Sequence, residues 1–426
     1  MNKRLALIFV LLTLVIDAIG IGIIMPVTPD LIQELLGANL AAAALWGGAL
    51  SASFAVMQFL FSPLIGGLSD RYGRKPVLLL SLFVVGIDYL IMGFTGSIWV
   101  LLIGRCIAGI ASATQSTASA FIADISDPET KAQNFALVGA AFGIGFILGP
   151  VLGGLFAEIS PRAPFFAAAA LALANCAFGW LILSETVTDK IRRALSWRRI
   201  NPLGALMNVS GLPSGAMMLG VVFLHNVAFF AYPSVWAYFT IERFDWSPKE
   251  VGFSLAAFGL TVAVAQAGLM RPLVARFGEW GVLMIGLVCS ITAGVLISLA
   301  TQGWMIYGLI FSMALSFLIT PALQAIMSRL TPDDSQGELQ GVLTSISALA
   351  VIISPLLMTF VFGYFSGPKA PFYMPGAPYL LAGIFDLIVL IVVYSIWRQR
   401  RRGATNAPET VPAAVTPPLP KSDQLP

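Results

Sequence analysis

The chain has 426 residues, 58% of them hydrophobic and only 11% charged, with a formal net charge of +3 and a mean hydropathy of +0.88. Soluble domains carry about 25% charged residues, so this composition excludes a soluble enzyme or binding domain and predicts a polytopic membrane protein. The apolar runs are continuous rather than alternating, which selects helices over a barrel. The small positive balance is spread over loops and reads as membrane topology, not as a nucleic-acid footprint.

A spanning helix needs about 20 apolar residues. Twelve such spans are predicted, near 5–26, 42–67, 77–95, 99–122, 134–156, 164–183, 213–240, 249–272, 280–300, 303–328, 338–362 and 377–396. The first lacks a small-residue cleavage site and is followed by many more, so it is read as a helix and not as a signal peptide. Residues 1–183 form one six-span bundle, 184–212 a basic central connection, 213–397 a second bundle, and 398–426 a disordered tail. Cys106, Cys176 and Cys289 lie in apolar runs and are read as packing residues, and no metal-ligand spacing appears.

In chain order, the first candidate is Asp17 in span 1. At 1.5 Å per residue it lies roughly 18 Å from the start of its span, while Arg105 lies roughly 9 Å in from the other side, so the two can pair. The pair is either a static ion pair or a proton switch. Gln58 follows in span 2. Between spans 2 and 3, Gly66 and Gly73 are expected to permit a tight turn, Asp70 to sit against a helix N-terminus, and Arg71, Arg74 and Lys75 to hold the loop on one side. Asp88 sits near mid-depth in span 3 with no evident partner, either lining a cavity or bonding locally. Gln115 is a mid-span amide of span 4.

Span 5 carries Gly145, Gly149, Pro150, Gly153 and Gly154, small residues that allow close helix approach around a bending proline. Span 7 holds the only histidine, His225, beside Asn226, and an aromatic run that includes Trp236. A lone histidine is either a packing group or a proton relay, and an aromatic wall suits a planar, partly apolar ligand. Gln266 and Gln324 are further mid-span amides that either meet a ligand or tie helices together, and Asp386 in span 12 is read as structural. No nucleotide-binding loop of the form G-x-x-x-x-G-K-[ST] is present, which leaves an ion gradient as the energy source.

Nineteen of the 24 cations fall on the side that holds both chain ends, which predicts cytoplasmic termini. The halves also repeat: Arg71 and Arg276, Gly73 and Gly278, Trp99 and Trp304, and Pro150 and Pro355 share one offset of 205 residues. Parallel six-helix repeats with a site between them are the architecture of major facilitator transporters.

The pattern from Gly66 to Lys75 resembles the loop signature of the major facilitator superfamily, in which it implies a gate latch at Asp70. The span-5 pattern resembles the signature of its drug:proton antiporters and implies export. Beyond these, Asp17–Pro26, Ser69–Leu82, Asp88–Leu90, Val251–Ala256 and Pro321–Gln324 resemble the Gram-negative tetracycline/proton antiporters over nearly the whole chain. That resemblance implies that Asp17, Asp88 and Arg105 couple protons to transport and that Gln58 lines the substrate cavity, with Gln115, His225, Asn226, Trp236 and Gln324 as further cavity candidates. Two positions depart from the family: Val262 stands where it has a histidine, and Ser290 where it has an aspartate.

The expectation is an all-α membrane protein of the major facilitator fold, monomeric, in a bacterial inner membrane. It exports a planar amphipathic compound, free or as a divalent-metal complex, using the proton gradient and no bound cofactor. A facilitator or importer of a small metabolite, and a transporter-shaped sensor that moves nothing, are the alternatives.

Overall fold

The computed structural model describes residues 3–112, 114–127, 129–183, 185–187, 215–332, 335–368 and 370–405. These residues contain helices and no strands. In the first half they are α1 (Lys3–Ile24), the short α2 (Thr28–Leu36), α3 (Leu40–Tyr72), α4 (Arg74–Phe94), α5 (Ile98–Ala111), α6 (Thr114–Ile125), α7 (Lys131–Ala157) and α8 (Ala163–Ile182). In the second they are α9 (Gly215–Phe229), α10 (Ala231–Phe244), α11 (Pro248–Val264), α12 (Met270–Leu299), α13 (Gly303–Ser312), α14 (Ile319–Leu330), α15 (Gln336–Ser366) and α16 (Ala377–Thr405). The central connection predicted over 184–212 lies almost wholly outside the described residues, as does the tail from 406. Residues 398–405 continue α16 as helix.

Eleven helical stretches are long and apolar enough to cross a membrane. One of them, Pro248–Leu299, has 52 residues. Straight, it would measure about 78 Å against a bilayer core of about 30 Å. Gly278 interrupts it at φ 68°, so it makes two crossings and brings the total to the expected twelve.

The internal duplication is written into the backbone. Gly73 (φ 118°) separates α3 from α4, and Gly278 repeats that break 205 residues on. The flanking charges repeat with their signs exchanged. Arg74 Nε meets Asp124 Oδ2 at 3.2 Å in the first half; Arg329 Nη2 meets Glu279 Oε1 at 3.0 Å in the second, at the same offset. Around Gly73 the Glu185 carboxylate accepts the backbone N–H groups of Arg74 (2.8 Å) and Lys75 (3.2 Å), satisfying donors at the start of α4. Lys75 Nζ in turn donates to the carbonyls of Trp180 and Leu183 at the end of α8. A Cβ at Gly73 would run into the Glu185 carboxylate. Gly73→Ala is therefore expected to destabilise the first bundle by about 1–2 kcal/mol, read as a lower melting temperature in detergent.

Gly66 does not turn the chain. It lies inside α3, which stays helical to Tyr72, because only Gly73 takes a positive φ in this stretch. Span 4 is broken at Ser112, where the Gln58 amide donates to the Ser112 hydroxyl (3.0 Å) and carbonyl (3.4 Å). Two further irregular turns meet each other. A π-turn at Ala265–Leu269 follows α11, and a 3-10 stretch at Met313–Leu318 joins α13 to α14. The Gln266 amide donates to the Phe317 carbonyl at 3.5 Å, so this mid-span amide ties helices together, as irregular backbone at membrane depth requires.

Candidate functional site

The two bundles join at the end opposite the chain termini and part at the end that carries them. Where they join, glycines bring backbones together. A Cβ at Gly48 of α3 would collide with the Thr359 hydroxyl of α15 and lie 2.8 Å from the Pro355 carbonyl oxygen. A Cβ at Gly154 of α7 would lie 2.7 Å from Lys249 Cα, and one at Gly252 of α11 would strike the Pro150 carbonyl oxygen. Lys249 Nζ closes the seam on Glu158 Oε1 at 2.8 Å. Toward the terminal end, Gly139 and Gly143 of α7, Gly268 of the π-turn and Gly337 of α15 have no neighbour among the described residues within 4 Å of where a Cβ would stand. Among the described residues, the cleft between the bundles thus opens on the side of the termini.

The span-5 motif divides its work between these contacts. Gly145, Gly149 and Gly153 form a stripe against α1: a Cβ at Gly149 would fall 2.7 Å from the Ile19 carbonyl oxygen, and one at Gly145 2.7 Å from that of Val15. Pro150 and Gly154 face α11 across the seam.

The gate loop is bonded within its own half. Arg74 pairs with Asp70 and also reaches Ser69 Oγ at 3.2 Å and Asp124. Arg71 lies over the Tyr72 ring, 5.3 Å from its centre. Asp70 is bound by the Arg74 guanidinium one helical turn on, not by a neighbouring helix N-terminus.

The intramembrane charges sort differently from the sequence expectation. Arg105 pairs with Asp88, not with Asp17; Asp88 is buried and Arg105 half-buried. The reason is the short 95–97 turn between two antiparallel helices. Asp88 lies six residues before the end of α4 and Arg105 seven after the start of α5, which at 1.5 Å per residue puts both about 10 Å below it. Measuring Asp88 from that end of its span would have found the pair in the sequence. No further hydrogen bond reaches the Asp88 oxygens among the described residues, so the carboxylate depends on one guanidinium, which also lies 5.4 Å from the Phe54 ring centre. Asp17 is left half-buried, near Tyr89 of α4, without an ion pair among the described residues.

In the second bundle the histidine is neither lone nor a plain packing group. His225 Nδ1 meets Asp386 Oδ1 at 2.9 Å, and the Ser290 hydroxyl donates to Asp386 Oδ2 at 2.6 Å. His225 and Asp386 are only 3% and 2% exposed. The other ring nitrogen, Nε2, lies 3.4 Å from the Thr320 hydroxyl and lines a small pocket with Asn226, Gln324 and Ser347. Asn226 Nδ2 donates to Ser347 Oγ at 3.0 Å. Three expected cavity residues, His225, Asn226 and Gln324, are therefore brought together, and Gln58 keeps a half-exposed amide in the other bundle.

Trp236 does not line the cavity. It is 1% exposed and its indole N–H donates to Ser254 Oγ at 2.8 Å inside an aromatic cluster with Tyr232, Phe239 and Tyr379. Burying the ring within the bundle offers it more contact than the cleft would. Gln115 lies in α6, and its side chain falls outside the described residues.

The description Major Facilitator Superfamily matches residues 10–214 and 217–422. The chain is 40% identical over 362 residues to the class C tetracycline resistance protein of Escherichia coli, covering 85% of this chain and 91% of that one. It is 28% identical to multidrug resistance protein 2 of Bacillus subtilis, over 95% of this chain and 98% of that one. The human organic anion transporter MFSD10 superposes with a TM-score of 0.65 at 25% identity, covering 92% of this chain and all of that one. With twelve crossings in two repeated halves around a cleft, this multi-pass membrane protein belongs to the Major Facilitator Superfamily, among its drug efflux transporters.

Proposed function

We propose that the protein exports a planar amphipathic compound, tetracycline or a similar drug, across a bacterial inner membrane in exchange for protons. Both termini lie in the cytoplasm, so the cleft faces the cytoplasm and the molecule is poised to load cargo. Export follows when the seam opens on the far side and the terminal side closes. The proton gradient supplies the driving force, and no bound cofactor takes part. Drug enters alone or as a divalent-metal complex, and one chain forms the complete pathway.

The observation that carries this reading is Asp17. It is an intramembrane carboxyl on the helix packed against the span-5 glycine stripe, and no cation among the described residues pairs with it. A carboxyl so placed gains and loses a proton as its surroundings are wetted and dried. Asp70 and Arg74 serve as the latch. In the open-cleft state, among the described residues, they bond within their own half, which leaves Asp70 to engage the second half when the terminal side closes.

The test is tetracycline uptake with magnesium into energised everted vesicles. Asp17→Asn is expected to lower steady-state accumulation about tenfold or more at unchanged protein level, because a neutral amide cannot cycle a proton. Accumulation that stays at the parent level would remove Asp17 from the coupling step. Binding of tetracycline with no accumulation by the parent protein would favour the sensor reading.

A further inference from the structure

We propose that the His225–Asp386 pair is a second proton-carrying site, placed in the C-terminal bundle at the wall of a small polar pocket, and that drug and proton exclude each other there. This rests on the reading of proton-driven export above.

The chemistry follows from the hydrogen bonds. An ionised carboxylate only accepts, so Asp386 fixes the His225 proton on Nδ1 and leaves Nε2 as an acceptor aimed at the pocket. A proton taken up at Nε2 gives an imidazolium beside a carboxylate, a pair with no net charge, which suits an apolar bundle. Losing that proton leaves one negative charge. No lysine or arginine pairs with Asp386 among the described residues; only Ser290 supports it. Among the described residues, Tyr232 of α10 lies near Asp386, and Cys289 of α12 lies near Tyr232. α14 contributes the Thr320 hydroxyl, and on α15 Ser347 bonds Asn226.

Release of the proton is therefore favoured when water fills the pocket or when a ligand brings an N–H or O–H donor, or positive charge, to Nε2. A drug presenting such a donor cannot bind while Nε2 holds a proton. That mutual exclusion is what exchange requires. It also assigns a chemical feature to the cargo: the edge that enters this pocket carries a hydrogen-bond donor. Among the family positions, the second bundle has Val262 and Ser290 in place of ionisable groups. The His225–Asp386 pair gives the bundle an ionisable site on other helices.

Because His225 is the only histidine of the chain, its ring can be followed alone. Full-length protein purified through a histidine-free tag and labelled at histidine should give one imidazole signal in NMR. The expected result is a signal that responds to pH and whose midpoint moves by about half a pH unit or more on adding tetracycline with magnesium. Asp386→Asn should move the midpoint by a comparable amount without drug. In proteoliposomes, His225→Asn and Asp386→Asn should cut gradient-driven tetracycline accumulation about tenfold.

Because the pair is buried, folding of each variant is checked by melting temperature. Ser290→Ala, which keeps both ionisable groups, serves as the milder variant, expected to shift the midpoint and retain accumulation. An imidazole signal that does not respond to pH, or full gradient-driven accumulation by His225→Asn, would overturn the proposal. If the parent protein accumulates no tetracycline, the export reading fails for that drug, and the imidazole titration alone decides the pair.

Discussion

Arg105→Ala is expected to be among the most damaging single substitutions in the chain. Its guanidinium is the one cation bonded to Asp88, which is 3% exposed and has no other hydrogen-bond partner among the described residues. Removing one member of a buried ion pair strands the other charge and costs about 3–5 kcal/mol, whereas removing both charges together costs far less. A Cβ at Gly104 would lie 2.7 Å from Asp88 Oδ1, so the carboxylate sits close against the α5 backbone at the glycine one position before Arg105. The double variant Asp88→Asn/Arg105→Gln should therefore recover most of the lost stability, and the four proteins form a cycle with a coupling term above about 1 kcal/mol. Thermal unfolding in detergent and the yield of folded protein provide the measurement. Two single variants as stable as the parent would show that the pair holds nothing together. Transport need not return with stability, and comparing the two in the double variant separates a structural pair from a working one.

Gly252→Leu should act on a different quantity, the balance between the two faces of the transporter. Gly252 lies where α11 meets the Pro150 carbonyl, and in the neighbouring contact a Cβ at Gly154 would lie 2.7 Å from Lys249 Cα. A leucine fits there only if the bundles separate on the far side. Moving a two-state equilibrium from 1:99 to 99:1 takes about 5.5 kcal/mol, which is within reach of a severe overlap in a close-packed seam. The expected outcome is a protein that folds but rests with the opposite face open, and whose transport falls at least tenfold, about 1.4 kcal/mol, because it no longer resets. Spin labels at Ile159 and Phe372, both exposed at the far end of opposite halves, would report a longer distance in the variant, in a background with Cys106, Cys176 and Cys289 replaced. An unchanged distance with normal transport would mean that the seam tolerates the side chain and that glycine there sets no equilibrium.

What could be read from the chain alone was whatever the bilayer judges one segment at a time. A run of apolar residues spans or does not, and a cluster of Lys and Arg stays on one side. The twelve crossings and the two halves therefore followed from local composition, and the offset that links Gly73 with Gly278 marked the breaks that the backbone makes. Partners are a different matter, because they depend on how two helices are rotated and set against each other. Asp88 meets Arg105 across one turn, and His225 meets Asp386 across 161 positions of sequence. Trp236 is apolar enough for either cleft or core, and only packing places it in the core. Gly66 and Gly73 read alike, yet only Gly73 bends the chain. Hydrophobicity is summed along a segment and needs no neighbour, whereas a buried charge is tolerated only when another helix supplies its counterpart, so the tertiary structure alone decided which acids are held and which, like Asp17, are left without an ion pair among the described residues.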